Sequence, residues 1–247
     1  MVYIHFRPHH IANGQKLTAN SQPMYLLLKR ILDILVALTV LIVLLPIFIP
    51  ISLILRLTAE GEVFYLQKRV GYLNQPFQIW KFATMLKNSM NMGTGSLTLR
   101  NDPRVTSIGK FLRITKINEL PQVINVLNGT MSLVGPRPQV ERDFLAYPKD
   151  IQPLIYNAKP GITGIGSIIF RDEEKLISNS DMPPHDFYRE HIAPYKGALE
   201  LWYQQHASMA TDLAIIFLTA WQIFFPHSDL VFKLFKDLPP RPKELTI

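Results

Sequence analysis

The sequence contains no cysteine. That excludes a disulfide framework, a cysteine-based zinc site and a thiol nucleophile. Acidic residues are sparse, with 19 Asp and Glu against 26 Lys and Arg and a formal net charge of +7. An excess of cations attracts nucleic acid, anionic lipid headgroups and phosphorylated small molecules alike. There is no zinc-finger, helix-turn-helix or RNA-recognition pattern, and the basic residues are scattered among apolar segments, which argues against a nucleic-acid partner. Internal repeats and low-complexity tracts are also absent. Charge is missing altogether from the 22 residues between Ile34 and Leu55, about the length a helix needs to cross a bilayer core. With 48% hydrophobic residues in the chain, part of this apolar surface is expected to face lipid. A long polar stretch precedes the segment and no small-residue cleavage site follows it, unlike a signal peptide.

Pro46 and Pro50 lie inside this segment. Each removes a backbone donor and crowds the preceding turn, so a kink or break is expected near Leu45. Lys29 and Arg30 precede the segment, while Arg56, Lys68 and Arg69 follow it. Basic flanks prefer the cytoplasm, and a single span would leave one of them outside. A helix that enters one leaflet and returns satisfies both flanks and the prolines. The expected organisation is a polar extension over 1–28, a re-entrant membrane helix over 29–57 and a cytoplasmic domain over 58–247. Asp33 reads as a helix-start or interfacial residue. His5, His9 and His10, without a carboxylate partner or helical spacing, read as a solvated tail.

In the remainder, EVFYLQKRV and FQIWKFATM flank the turn-like GYLNQP and predict an antiparallel pair. NMGTGSLTLRNDP reads as a loop. Ser107 can cap a helix with Ile108, Phe111 and Leu112 on its apolar face, leaving Lys110, Arg113 and Lys116 as a basic ridge. Asn118 can cap a second helix with Pro121 in its first turn and Gly129 after its end. Glu119 then sits at a helix N-terminus beside the ridge, where it is held ionised and can help bind phosphate or position a metal. Two prolines fix the backbone around Arg137, whose guanidinium suits phosphate recognition, although a structural ion pair explains it equally well. KPGITGIG reads as a tight turn, Leu213–Phe225 as a segment packed on the domain or lying at the interface, and PPRPKELTI as a tail. The fold class is mixed α/β, mostly helical with a small antiparallel sheet, carrying a proline-broken hydrophobic helix.

The order of KRILDILVALTVLIVLLPIFIPISLILRL, QKRVGYLNQPFQIWKF, NDPRVTSIGKFLRITKINELPQVINVLNGTMSLVGPRP and KPGITG resembles the bacterial sugar transferase family, the monotopic polyprenyl-phosphate phosphoglycosyl transferases. The match runs from about Lys29 to Phe225. The resemblance implies a bacterial inner-membrane enzyme with its catalytic domain in the cytoplasm. Its partners would be a nucleotide sugar, expected to be a uridine diphosphate sugar, and a polyprenyl phosphate in the membrane. Its products would start exopolysaccharide, lipopolysaccharide or other glycoconjugate synthesis. It further implies Mg2+ dependence, with Glu119 as the metal-side carboxylate, and a two-step reaction in which a carboxylate carries the phosphosugar covalently. Arg113, Arg137 and Lys81 would bind the phosphates of the substrates. A homo-oligomer is compatible with the sequence.

Four positions depart from the family pattern. The family's Asp–Glu pair reads Asn118–Glu119 here, and an amide cannot form the acyl phosphate that a carboxylate forms. Ala83 replaces the usual Arg, Thr130 replaces an acidic residue, and GIGSIIF follows PGIT in place of aromatic and polar residues. Three explanations stay open. Glu119 carries the chemistry, or the chain is an inactive or repurposed relative serving as a membrane scaffold or partner, or Asn118 was introduced by engineering. As a helix cap, Asn118 would serve about as well as Asp.

Overall fold

A computed structural model describes residues 22–58, 60–89, 102–226 and 228–245. The histidines at 5, 9 and 10 and most of the Gly- and Ser-containing loop lie outside these residues. The chain is mostly helical with two small sheets and one long apolar helix near its start. That helix, α1, runs from Gln22 to Thr58, roughly 55 Å at 1.5 Å per residue. It is helical without interruption through Pro46 and Pro50, so the prolines do not divide it into two separate elements.

Both ends of α1 are fixed to the rest of the protein. Near its start, Lys29 donates to the Val134 carbonyl at 2.9 Å and pairs with Asp212 at 2.6 Å. Arg30 donates to the carbonyls of Val126 and Leu127 at 2.6 and 2.8 Å, two of the acceptors a helix end leaves unsatisfied. Asp33 is a buried anchor, accepting from Ser132 Oγ at 3.1 Å and the Leu133 N–H at 2.9 Å. Farther along, Ala37, Val40 and Leu41 pack on Ile79, Val123, Val126 and Met131. Phe48 and Leu55 pack with Phe82 and Leu112. The opposite face exposes Leu27, Leu35, Leu38, Ile42, Leu45, Ile49 and Leu53, more apolar surface than water tolerates on a soluble monomer.

Strands β1 (Phe64–Val70) and β2 (Pro76–Phe82) form the expected antiparallel hairpin, with Tyr65 opposite Lys81 and Arg69 opposite Phe77. Their connection is a 3-10 turn at Tyr72–Asn74 in which Leu73 and Asn74 take positive φ. The outer edge of β2 is closed by a side chain. Asn125 accepts from the Trp80 N–H at 2.9 Å and donates to the Gln78 carbonyl at 2.7 Å, standing in for a third strand.

Helix α2 spans Ser107–Ile114, and its cap is Thr106 rather than Ser107 because Thr106 Oγ1 accepts from the Gly109 N–H. Asn118 lies inside a 3-10 segment, Ile117–Gln122, entered through left-handed Lys116, and makes no cap hydrogen bond. Helix α3 (Val123–Leu127) follows, and Gly129 at φ 77° turns the chain into β3 (Ser132–Val134). After α4 (Glu141–Phe144) and α5 (Gln152–Ile155) comes β4 (Gly161–Thr163), which pairs parallel to β3. The KPGITGIG segment is therefore a strand leading into α6 (Ile165–Ile169) rather than only a turn. Its glycines allow close backbone approach: a Cβ on Gly135 would lie 2.2 Å from the Lys159 carbonyl oxygen, and one on Gly161 2.2 Å from the Gly135 nitrogen.

Helices α7 (Glu173–Ser178), α8 (Pro184–Phe187) and, after a π-turn, α9 (Ala193–His206) lead to α10 (Met209–Phe224) and α11 (Leu230–Leu234). The main core gathers Tyr156, Ile165, Tyr188, Leu199, Tyr203 and Ile215 from these elements. The C-terminal segment is more than a tail, since Leu245 is buried in that core.

Candidate active site

Three elements converge on one carboxylate. Strand β2 carries Lys81, the 3-10 segment carries Glu119, and the loop after β3 carries Arg137. Glu119 Oε1 accepts from Arg137 Nη2 at 2.8 Å and from Lys81 Nζ at 3.3 Å. Pro136 and Pro138 restrict the Arg137 loop as expected. The loop is also held from within the core: Tyr156 Oη donates to the Arg137 carbonyl at 2.9 Å and accepts from the Gln139 N–H at 2.8 Å. Arg113 does not reach Glu119 directly. Its guanidinium meets Thr84 Oγ1 at 3.5 Å, at the side of the site, and its charge acts on Glu119 over a longer distance.

Burial alone would raise the Glu119 carboxyl, but the Arg137 guanidinium and Lys81 ammonium outweigh it and hold it well below the usual carboxylate range. Glu119 in turn raises Arg137. Burial pushes Lys81 down to about 7, with Arg69 and Arg137 pushing the same way and Glu119 opposing them. Lys81 thus changes charge near neutrality, unlike the guanidinium groups around it.

Asn118 is buried, and its Oδ1 has no hydrogen-bond partner among the described residues. Such a group costs about 1–3 kcal/mol when left unsatisfied, so its retention beside Glu119 is not explained by packing. Thr130 joins the Asn125 network, with its Oγ1 accepting from Asn125 Nδ2 at 3.1 Å.

Arg69, which in the sequence reads as a basic flank of the membrane segment, belongs to this cluster. It donates to Gln67 Oε1 at 2.7 Å and to the Pro138 carbonyl at 3.0 Å, and its charge acts on Glu119 and Arg137. The hairpin contained the signal. Alternate residues of a strand share a face, and with Tyr65 opposite Lys81 the Lys81 face includes Arg69.

Behind the cluster lies a second set of buried charges. Lys196 on α9 pairs with Glu173 on α7. Glu200, one turn along α9, sits against the Arg137 main-chain N–H and is raised to about 8 by burial, with Lys196 opposing the shift. Gly166 makes room for it, since a Cβ there would lie 2.5 Å from Glu200 Oε1.

The profile of the bacterial sugar transferase family matches residues 24–226. The chain belongs to that family. It is 36% identical over 201 residues to the UDP-glucose:undecaprenyl-phosphate glucose-1-phosphate transferase of Escherichia coli (strain K12), covering 80% of this chain and 40% of that protein. It is 32% identical over 213 residues to the UDP-N-acetylgalactosamine-undecaprenyl-phosphate N-acetylgalactosaminephosphotransferase of Aeromonas hydrophila, covering 85% and 47%. Against the exopolysaccharide production protein ExoY of Sinorhizobium fredii (strain NBRC 101917 / NGR234) the identity is 30% over 216 residues, covering 82% and 88%. The chain thus spans less than half the length of the first two relatives and most of the third.

Proposed function

We propose that this chain transfers a phosphosugar from a uridine diphosphate sugar to a polyprenyl phosphate at the cytoplasmic face of the bacterial inner membrane. The observation that carries the reading is the Glu119 carboxylate held between Arg137 and Lys81, in a chain of the sugar transferase family. Before substrate arrives, Glu119 is the anion that these cations share. On binding, Arg137 and Lys81 exchange it for phosphate oxygens, with Arg137 able to make two parallel hydrogen bonds and Lys81 acting as a point charge. Arg69 and Arg113 add positive potential, which favours the charge that spreads over the transferring phosphoryl oxygens.

A magnesium ion fits this set of residues in a limited way. Among the described residues no three His, Asp or Glu side chains form a metal cluster. Magnesium, however, commonly takes one or two carboxylates together with substrate phosphates. Glu119 is the carboxylate that would hold it, and the Asn118 Oδ1, without a partner among the described residues, is an oxygen of the type hard cations accept. When bound, the ion would neutralise charge on the phosphate oxygens.

The lipid substrate sets the depth of the site. Because Lys29, Arg30 and Asp33 hold one end of α1 to the same domain that Phe48 and Leu55 meet farther along, α1 would lie in one leaflet with its outward leucines and isoleucines in the acyl region. A bend at Pro46 and Pro50 would suit that path. Acceptor phosphates would then meet the site at headgroup depth.

Incubating the full chain in detergent with Mg2+, undecaprenyl phosphate and a panel of uridine diphosphate sugars tests the proposal. Uridine monophosphate and an undecaprenyl diphosphate sugar should form in equal amounts with at least one donor. Donor binding without product from any donor would favour the scaffold reading.

A further inference from the structure

We infer that Glu200 is a positioning residue for donor binding: its buried carboxyl takes the main-chain N–H of Arg137 and so fixes where the Arg137 guanidinium stands. The inference rests on the proposed binding of donor phosphates by Arg137 and adds the group that holds Arg137 in place. Glu200 itself touches no substrate.

The main-chain hydrogen bonds of residues 136–138 single out this contact. Buried main-chain groups in folded proteins are paired, so each group of this run needs a partner. All three carbonyls have one. Pro136 accepts from the Gly161 N–H at 3.0 Å, Arg137 from Tyr156 Oη at 2.9 Å and Pro138 from Arg69 Nη1 at 3.0 Å. Proline carries no N–H, which leaves Arg137 as the single main-chain donor of the three residues. The Glu200 carboxyl on α9 faces that donor. With Tyr156 on the carbonyl and Glu200 on the N–H, the peptide groups on both sides of Arg137 are held against rotation, and the side chain is delivered to Glu119 Oε1 at 2.8 Å.

The surroundings of Glu200 leave its presence otherwise unexplained. The residue is 1% exposed. Lys196, one turn earlier on α9, acts on it, but the Lys196 ammonium is paired with Glu173. The hydroxyls of Tyr147 and Tyr156 feel its charge, and its Oε2 has no hydrogen-bond partner among the described residues. A carboxyl so placed is costly to bury, and an apolar side chain would pack there without that cost. Helix α6 nevertheless makes room for it, since a Cβ on Gly166 would lie 2.5 Å from Glu200 Oε1 and 3.3 Å from its Cδ. Burial raises the carboxyl to about 8, so at neutral pH it is mostly uncharged and accepts from the Arg137 N–H without repelling the phosphates that Arg137 binds.

A double-mutant cycle separates positioning of Arg137 from a general contribution to the fold. Titration calorimetry measures the affinity of the full chain in detergent for whichever uridine diphosphate sugar of the panel binds most tightly. The cycle compares the parent, Glu200→Leu, Arg137→Ala and the double variant. Glu200→Leu should weaken binding about tenfold while Arg137 is present, and by less than about twofold once Arg137 is Ala. Glu200→Gln keeps an acceptor oxygen and should hold affinity within about threefold of the parent. Should Glu200→Leu not fold, Gly166→Ala replaces it in the cycle, because its Cβ displaces the Glu200 carboxyl from its seat while the carboxyl is retained. The same loss in both backgrounds, or no loss with Arg137 present, would overturn the inference. Absence of product with both substrates would end the transfer reading, while the binding cycle still decides the role of Glu200. A parent that binds no uridine diphosphate sugar would overturn both.

Discussion

Lys81 offers a test that separates its role from those of the arginines. Its ammonium is pushed down to about 7, first by burial and then by Arg69 and Arg137, whereas the guanidinium groups stay charged throughout the working range. Below pH 7 Lys81 is charged in the free protein and donates to the donor diphosphate. Above pH 7 it is neutral in the free protein and must take up a proton for the bound phosphate to be neutralised. Donor affinity is therefore constant on the acid side and falls on the alkaline side, by about tenfold per pH unit while one proton is taken up on binding. The fall levels off when the charge-assisted bond has been lost, after about 1.5–3 kcal/mol, or roughly ten- to a hundredfold. Glu200, raised to about 8 and lying under the Arg137 main chain, becomes anionic in the same range and adds to the weakening. Lys81→Arg removes only the lysine contribution. Titration calorimetry of a uridine diphosphate sugar from pH 6 to 8.5 should show a dissociation constant that rises in the parent and is flatter in Lys81→Arg. A constant value in the parent, or the same slope in Lys81→Arg, would refute the assignment of Lys81 to the donor phosphates.

Arg137→Ala removes the nearest cation from Glu119, so donor binding should weaken by about 1.5–3 kcal/mol, and Arg113→Ala, whose guanidinium meets Thr84 rather than Glu119, should weaken it less; unchanged dissociation constants for both would refute the phosphate-binding role. Asp212 is buried and accepts from Lys29 at 2.6 Å, Tyr203 at 2.7 Å and Tyr25 at 3.0 Å. Asp212→Ala leaves the Lys29 charge without its carboxylate and should cost about 3–5 kcal/mol, read as a lowered thermal midpoint in detergent; a midpoint matching the parent would contradict the anchoring of α1 on α10. Cysteines introduced singly at Leu28 and Thr58, both exposed, should react with a membrane-impermeant reagent from the cytoplasmic side only, and labelling from opposite sides would exclude a re-entrant α1.

Much of the site could be read in the sequence because its residues occupy local patterns. The hairpin followed from two β-rich runs around a turn, and Arg137 from the prolines on either side of it. The uncharged run from Ile34 to Leu55 located the long helix, although that helix runs through the prolines without the expected interruption. What was missed depends on contacts between distant segments. The parallel pairing of Ser132 with Gly161 and Val134 with Thr163 has no local periodicity to announce it. Asp33 gave no sign that it would be buried against Ser132 and Leu133, a hundred residues away in sequence. Arg69 was hidden by the neighbouring Lys68, which made both look like a charged membrane flank. Asn118 fitted a cap pattern, but left-handed Lys116 starts a 3-10 turn and carries the Asn118 side chain inward instead.

The central claim is that transfer takes place where Lys81, Glu119 and Arg137 meet, and turnover of Glu119→Gln tests it most directly. The substitution keeps the size of the side chain and removes the charge that gathers both cations and would hold a metal. With undecaprenyl phosphate and a competent uridine diphosphate sugar, uridine monophosphate release should fall by at least about a hundredfold relative to the parent, as a misplacement of about 1 Å at a reacting centre can do, while the thermal midpoint shows a folded protein. Turnover as fast as the parent's would contradict the account, because no carboxylate at this position would then be needed.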